Sequence, residues 1–298
     1  MLKTTHILFR ASGVCVFLLG MVFGPSLSFS NEIKNKPTIV SLDYCSDQFV
    51  LSLADREQIV AVSKSAEDIF SYYRGRAKGI AKTHSSIEEV IMINPDVAVQ
   101  TYSAAAHMGE MTKRTGISLV STDFGSDPNT VYKNIMKVGK AIGQEERARN
   151  FNQSYAERLK TLKNTPRNQL KIAYITPSGT TAGVGTSVDD IIMLSGFESY
   201  AQAHNLNGWL SLPLENLIMD SPDLFITGFF EKGAVTQSSW SISRHDYLFK
   251  MMKEIPTINL PSSYMSCNGL FTIDAAERIR SDAIELGVIS MEDGKIDD

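Results

Sequence analysis

Short apolar runs rich in β-branched residues alternate along the chain with segments in which apolar residues recur every three or four positions. The runs at residues 38–42 and 59–62 are typical of buried parallel strands, and a helical segment lies between them at residues 47–54. Strands and helices in alternation indicate an α/β fold with mostly parallel sheets. The same pattern predicts further strands at residues 97–99, 118–121, 170–175, 224–226 and 257–260, and further helices at residues 104–115, 188–194, 245–252 and 273–286.

Two helices are predicted in the middle of the chain, with Gly143 between them. The second begins at Gln144 with acidic residues in its first turn and runs to Lys163, which gives it a length of about 30 Å. We interpret it as a link between two lobes. The predicted organisation is an N-terminal lobe at residues 31–142, a linking helix at 143–165, a C-terminal lobe at 166–290 and an acidic tail at 291–298.

A short motif occurs once in each predicted lobe, as IEEVIMINPDV at residues 87–97 and as LENLIMDSPDL at residues 214–224. Each copy predicts a helix, a break at Pro-Asp and a buried strand. Helix–turn–strand units also resemble one another by chance. Glu88 and Glu215 occupy the same place in the two copies, and neither has clustered His or Cys neighbours in the sequence. A matched pair of solvated carboxylates predicts a docking role.

The first thirty residues resemble a secretory signal, with Lys3 and Arg10 before an apolar run and small residues before Asn31. The predicted cleavage follows Ser30, and the mature protein is expected to be soluble and exported. Cys15 lies inside the apolar run and does not resemble a lipoprotein cysteine, so no lipid anchor is expected. The net charge of −4 and the mixing of basic with acidic residues argue against a nucleic-acid partner.

Two cysteines, Cys45 and Cys267, follow the predicted cleavage site. In an oxidising compartment such a pair forms either a disulfide or two buried thiols, and the sequence leaves both open. The histidines are scattered without the short spacing of metal ligands, so no metal site is predicted.

The sequence contains no recognisable catalytic set. The glycine-rich segment at residues 179–187 lacks the lysine of a phosphate-binding loop and is expected to be a flexible loop that lines a cleft. Ser243, His245 and Asp246 are too close in sequence to converge as a triad. We therefore predict that the protein is not an enzyme and needs no cofactor.

Aromatic residues and two arginines concentrate outside the periodic segments, several of them just past predicted strand ends. In doubly wound folds these segments line the ligand crevice, and aromatic walls with guanidinium groups suit a large anionic ligand. A loop aromatic also commonly packs on its own lobe, and the sequence does not separate the two roles. The candidate ligand-binding residues are Tyr72, Tyr73, Arg74, Tyr102, Trp209, Phe229, Trp240 and Arg244.

The export signal, the first strand leading into SLDYC at residues 41–45, the paired Glu and Pro-Asp motifs and the long helix together resemble the periplasmic substrate-binding proteins of ABC importers, specifically the ferric-siderophore and cobalamin class. The resemblance covers residues 37–287. It implies a class III periplasmic binding protein fold, in which two Rossmann-like lobes joined by a single long helix face each other across a cleft. Carried over, Glu88 and Glu215 would contact arginines of the membrane permease.

The resemblance also implies a function: a monomeric solute-binding protein that delivers a ferric siderophore or a cobalamin-type chelate to an ABC permease in the inner membrane. Trp209 corresponds in place to the aromatic pocket of the cobalamin binder, whereas the other candidate ligand residues are placed only by loop position. An enzyme or metal-insertion factor on a similar fold, or a ligand sensor without transport, are the alternatives.

Overall fold

The structure is a computed structural model that describes residues 36–101, 109, 114–230, 246–267 and 270–290. Within these residues, strands alternate with helices as expected, and the described part of the chain from Lys36 onward forms one compact unit. The helices are α1 (Tyr44–Leu53), α2 (Arg74–Ala77), α3 (Ile87–Ile93), α4 (Pro128–Ala141), α5 (Glu145–Asn164), α6 (Ser187–Leu194), α7 (Tyr200–Ala203), α8 (Leu214–Met219), α9 (Asp246–Glu254), α10 (Ser262–Met265) and α11 (Thr272–Glu285).

Two parallel sheets confirm the predicted α/β class. The first has the order β3-β2-β1-β4-β5, and the second has the order β11-β10-β6-β8. The first sheet with its helices is called the first lobe, and the second sheet with its helices is called the second lobe. The strands of the first sheet are β1 (Ile39–Ser41), β2 (Ile59–Ser63), β3 (Lys82–Thr83), β4 (Val97–Gln100) and β5 (Ser118–Ser121). Those of the second are β6 (Lys171–Ile175), β8 (Glu198–Ser199), β10 (Leu224–Thr227) and β11 (Thr257–Asn259).

The Pro-Asp turn of the repeated motif has the same structural role in both lobes. The Asp96 carboxylate accepts the backbone N–H of Thr38 at 2.7 Å, immediately before β1. The Asp223 carboxylate accepts the backbone N–H of Lys171, also at 2.7 Å, at the start of β6. In each lobe the strand after Pro-Asp pairs in parallel with the strand whose start its aspartate binds, at the residue before β1 and at the first residue of β6. The two motifs are thus equivalent in structure as well as in sequence.

The long helix α5 joins the two sheets in sequence and is anchored at both ends by ion pairs. Near its start, Arg147 donates to the Asp55 carboxylate at 2.7 Å, and this aspartate also accepts from Lys36 at 2.6 Å. These cations hold the pKa of Asp55 well below its usual range. In the second half of the helix, Arg158 bonds to Asp274 at 2.9 Å and to Glu277 of α11. The helix therefore ties the first lobe to α11 of the second.

The hydrophobic core is continuous between the lobes on the side of α5. One cluster contains Ile39 and Val99 of the first sheet, Leu162 of the linking helix, and Phe271 and Ile273 beside or in α11. The strands β4 and β10 are buried along their whole length, which is why they read as uninterrupted apolar runs in the sequence. The boundaries predicted for the lobes stay a prediction, because this packing joins them into one compact unit.

The glycine-rich segment at residues 179–187 is not the flexible loop that the sequence predicts. Strand β7 (Thr180–Ala182) lies within it and pairs in antiparallel fashion with β9 (Trp209–Ser211). Gly183 follows, and a Cβ atom there would lie 2.3 Å from the carbonyl oxygen of Leu206. The glycine therefore permits a close approach of two backbones, and the segment is held by the hydrogen bonds of this ribbon.

The remaining element boundaries agree with the sequence pattern to within a few residues. Strand β5 covers the predicted residues 118–121, and α5 begins one residue after Gln144, which precedes it as the helix cap. The helix predicted at residues 104–115 falls mostly outside the described residues. Nowhere in the described ranges does a helix combine the length and the apolar composition that crossing a bilayer requires.

Candidate functional site

A cavity of about 560 Å³ lies between the two lobes. The first lobe contributes α2 and residues before and after it, and the second contributes α10, the residue before it and α11. This volume is in the range of small-molecule binding sites. The lining residues are Glu67, Tyr72, Arg74, Gly75, Lys78, Pro261, Ser263, Tyr264 and Arg278.

The lining of this larger cavity carries more positive than negative charge. Arg74, Lys78 and Arg278 are cationic, and Glu67 is the one acidic residue among the lining residues. Arg278 is paired with Asp282 of the same helix at 2.7 Å. Glu67 is itself paired with Lys82 at 2.8 Å. Arg74 donates to the backbone carbonyls of Ser71 and Ile69 at 3.2 and 3.4 Å, so its charge is not neutralised by those contacts. The larger cavity is therefore suited to an anionic ligand.

Tyr72 connects the larger cavity to the contact between the lobes. Its ring stacks on Phe271 with the centroids 4.1 Å apart, and it meets Tyr264 edge to face at 5.2 Å. Burial raises the pKa of the Tyr72 phenol above its usual range, with a further contribution from Asp274. The phenol is therefore neutral at physiological pH and can donate a hydrogen bond.

A smaller cavity of about 210 Å³ adjoins the larger one at Pro261, which lines both. Its other lining residues are Thr227, Phe230, Asn259 and Leu260, at or just past the carboxyl ends of β10 and β11. Carboxyl ends of parallel strands are the usual position of ligand sites in α/β folds. We therefore treat the two neighbouring cavities together as the candidate site.

The predicted ligand residues fall into distinct groups in the structure. Tyr72 and Arg74 line the larger cavity. Tyr73 is not among the lining residues and packs against the core, with Phe271 at 5.7 Å and the Arg76 guanidinium over its ring at 4.7 Å. Tyr72 packs on the same cluster and also lines the cavity.

Two other candidates lie in the second lobe. Trp209 is 56% exposed on β9 and meets Tyr174 edge to face at 6.2 Å. Phe229 follows β10 with a positive φ of 62°, and the adjacent Phe230 lines the smaller cavity. Tyr102, Trp240 and Arg244 lie outside the described residues.

Several cavity residues were not selected from the sequence. Tyr264 lies just past β11, so the rule that selected Phe229 would have found it. Lys78 follows α2 and Arg278 lies inside α11, and both reach the cavity only through the packing of the two lobes. No local pattern in the sequence identifies residues of this kind.

The structure pairs Cys45 with Cys267 in a disulfide, with the Cα atoms 5.1 Å apart. Cys45 is in the first turn of α1, and Cys267 follows α10 with a positive φ of 64°. The bond therefore connects the first lobe to the second. It lies in sequence close to Phe271, which Tyr72 contacts from the other lobe.

Glu88 and Glu215 are both exposed and occupy the second position of α3 and of α8. The neighbouring Glu89 fixes the first helix by accepting the Thr83 hydroxyl and the His84 N–H, both at 2.6 Å. Asp220 fixes the second, because its carboxylate accepts from Lys171 at 2.6 Å and its carbonyl from Tyr200 at 2.8 Å. Glu88 and Glu215 therefore project from helices that are held in place on equivalent parts of the two lobes.

Among the residues that the structure describes, no group of three or more His, Cys, Asp and Glu side chains is arranged to hold a metal ion. One buried carboxylate, Asp47 of α1, has a structural role. It is fully buried and accepts the Ser63 N–H at 3.0 Å and the Ser63 hydroxyl at 2.6 Å. Burial raises the pKa of Asp47 to about 6, although the Ser63 hydrogen bonds oppose the shift.

We expect Asp47 to make the protein less stable as the pH rises from about 4 to about 6. In this interval the unfolded chain releases the proton while the folded protein retains it, so the free energy of unfolding falls, by roughly 3 kcal/mol in total. The Asp47→Asn variant should lack this component of the pH dependence in thermal melts. The matched control, Asp68→Asn at an exposed site, should keep it. Identical pH profiles for wild type and Asp47→Asn would contradict the prediction.

Comparison with known proteins gives consistent results. Residues 39–232 match a family described as periplasmic binding protein. An uncharacterized ABC transporter substrate-binding lipoprotein of Bacillus subtilis (strain 168), YvrC, is 24% identical over 223 residues, which cover 70% of each chain.

Solved structures have the same fold at low sequence identity. The periplasmic heme-binding protein HutB of Vibrio cholerae has a TM-score of 0.66 and 16% identity, covering 82% of this chain and 97% of HutB. The periplasmic heme-binding protein RhuT from Roseiflexus sp. RS-1 has a TM-score of 0.63 and 18% identity, covering 87% of this chain and all of RhuT. These similarities support the two-lobed arrangement described above.

Proposed function

Because this chain belongs to the periplasmic binding protein family, we propose that it is the solute-binding component of an ABC importer and that it captures an anionic metal chelate between its lobes. The ligand is a ferric siderophore, a heme or a corrinoid. The single observation that carries the choice of ligand class is the cationic, aromatic cavity between the two lobes, with Arg74 and Lys78 on one side and Arg278 on the other.

The chemistry of the larger cavity supports this class of ligand. A ferric chelate or a heme presents carboxylates or other anionic oxygens at its edge and a broad, partly apolar face. Guanidinium groups bind such oxygens through paired N–H donors, and aromatic rings such as Tyr72 and Tyr264 provide apolar surface for the face. The smaller cavity, with Phe230 and Leu260, extends the apolar part of the site.

The relatives support the transport role and an extracytoplasmic location. YvrC is named as an ABC transporter substrate-binding lipoprotein, and HutB and RhuT are named as heme-binding proteins. We propose that this chain is likewise exported, acts as a monomer and delivers its ligand to a membrane permease. Export by the signal at residues 1–30 is part of the proposal.

We expect the purified mature protein to bind one member of a panel of ferric siderophores, heme and corrinoids with a dissociation constant of about a micromolar or lower, and to leave that ligand chemically unchanged. Trp209 and Trp240 are its two tryptophans, so quenching of their fluorescence reports binding. Mass and absorbance spectra of the released ligand test for turnover. An unchanged signal with the whole panel, or a modified product, would contradict the proposal.

A matched pair of variants locates the binding site. Arg74→Ala removes a cavity cation whose other contacts are backbone carbonyls, and should weaken binding of the positive panel member by roughly 10-fold to 100-fold. Arg149→Ala removes an exposed guanidinium of α5, paired with Glu145, and should leave affinity unchanged. Equal affinities for the two variants would place the ligand outside the larger cavity.

A further inference from the structure

Each copy of the repeated motif exposes a methionine almost completely. Met92 of α3 is 85% exposed, and Met219 of α8 is 87% exposed. The isoleucine before each methionine is also exposed, by 37% for Ile91 and 59% for Ile218. A single exposed apolar side chain is ordinary on a protein surface. The same exposed pair at the same position of both motifs requires another explanation.

The fold does not use these methionines. In each helix the residue packed into the lobe is a different one, Val90 in the first and Leu217 in the second, and both are almost fully buried. Met92 lies four residues after Glu88, and Met219 lies four residues after Glu215. Residues at this spacing lie on the same face of a helix. Each helix therefore presents a carboxylate and a methionine side by side to solvent, with an isoleucine next to them.

We propose that Glu88, Ile91 and Met92 on one lobe and Glu215, Ile218 and Met219 on the other form a paired docking surface for the membrane permease, in which the Ile-Met pairs provide apolar contacts. The inference rests on the proposed transport function and extends it from the two carboxylates to the apolar residues beside them. Its partner is a membrane protein that presents two equivalent sites, each with a cationic side chain next to an apolar depression.

The duplication favours this partner over two others. A second copy of this chain bound face to face would bring glutamates against glutamates, which is unfavourable. An anionic lipid surface would repel the same carboxylates. A protein with two equivalent sites instead matches two equivalent patches on the lobes, and the unbranched methionine side chain adapts to the shape of an apolar depression.

Photo-crosslinking in cells of the native host tests which molecule covers the surface. Met92→p-benzoylphenylalanine and Met219→p-benzoylphenylalanine are each expected to give an adduct with the same integral membrane subunit of an ABC transporter. Tyr132→p-benzoylphenylalanine, at a residue of α4 that is 51% exposed, is the control and should not give this adduct. Adducts with a second copy of the chain, with lipid or with soluble proteins only, or no adduct, would overturn the proposal.

Two double variants separate apolar contact from simple exposure. Met92→Gln/Met219→Gln keeps the length and the helix propensity of methionine but makes both side chains polar, whereas Met92→Leu/Met219→Leu keeps them apolar. In sedimentation with right-side-out membrane vesicles of the host, the Gln variant should bind roughly tenfold more weakly than wild type. The Leu variant should bind like wild type.

The Glu88→Ala/Glu215→Ala variant in the same assay distinguishes docking at this surface from the specific contribution of the methionines. If this variant loses vesicle binding while the Gln variant binds like wild type, only the proposed role of the methionines is overturned. Wild-type binding by both variants would overturn docking at this surface altogether. The fluorescence titration with the chelate panel is independent of both results.

Discussion

Breaking the bond between Cys45 and Cys267 is expected to lower the melting temperature of the protein by roughly 5 to 15 °C. The disulfide closes a loop with a sequence separation of 222 residues. For a loop of this size the chain-entropy model gives a stabilisation of about 5 kcal/mol, and removal of native disulfides typically costs about 2 to 5 kcal/mol. In a protein of this length each kcal/mol corresponds to about 2 to 4 °C.

The disulfide is one of several contacts that connect the two lobes. It joins α1 of the first lobe to the segment after α10 of the second, and Cys267 packs against the cluster that contains Phe271. Without the bond, the stacking of Tyr72 on Phe271 and the Arg158 ion pairs still hold the lobes together. We therefore expect the variant to fold and to unfold at a lower temperature.

Thermal melts of wild type, of Cys45→Ser/Cys267→Ser and of wild type with reductant provide the test. The double variant and the reduced wild type should melt at the same lower temperature. Alkylation of the untreated periplasmic protein under denaturing conditions should detect no free thiol from these two residues. Two free thiols, or equal melting temperatures with and without reductant, would show that the cysteines are unbonded.

Most of the fold is predictable because buried parallel strands leave a direct mark on the sequence. Residues 118–121 form β5 as predicted, and the apolar run before residue 175 forms β6. The linking helix is equally clear, because acidic residues at its start and an apolar stripe along it are local features. The Pro-Asp turns recur because each aspartate binds a backbone amide at the start of the neighbouring strand.

The candidate site is less predictable because long-range packing determines it. Thr180 and Thr181 pair with the strand that begins at Trp209, and nothing in the polar segment itself indicates a partner so far along the chain. Loop position selected both Tyr72 and Tyr73, and both pack on the core, yet only Tyr72 is among the residues that line the larger cavity. Arg278 reaches the cavity from the middle of a helix, a position that the rule about strand ends does not cover.

The exchange of Glu88 and Glu215 for alanine is expected to abolish uptake of the chelate by intact cells while leaving its binding to the purified protein unchanged. Both carboxylates are exposed, at the second position of helices that other residues hold in place. Their removal should therefore shift the melting temperature by no more than a surface substitution does, an effect of about 0.5 kcal/mol. Neither residue lines the larger or the smaller cavity of the candidate site.

The expected loss of transport follows from the chemistry of a charge pair at an interface. A carboxylate that meets a permease arginine in a buried, hydrogen-bonded pair contributes strongly, and truncating one partner costs about 2 to 5 kcal/mol. Two such losses would weaken docking by several orders of magnitude, because each ~1.4 kcal/mol is a factor of ten in the equilibrium constant. Glu88→Ala or Glu215→Ala alone should give an intermediate loss.

Uptake of the panel chelate that quenches the tryptophan fluorescence, measured in cells that carry each variant as their only copy, is the decisive measurement. The matched control is Glu145→Ala/Glu146→Ala, which removes two acidic residues from the first turn of α5 and should leave uptake near wild type. Normal uptake by the Glu88→Ala/Glu215→Ala variant would eliminate the docking role. Lost binding in the purified variant would instead place these carboxylates at the ligand, and the repeated motif would then have to be explained by the chemistry of the site.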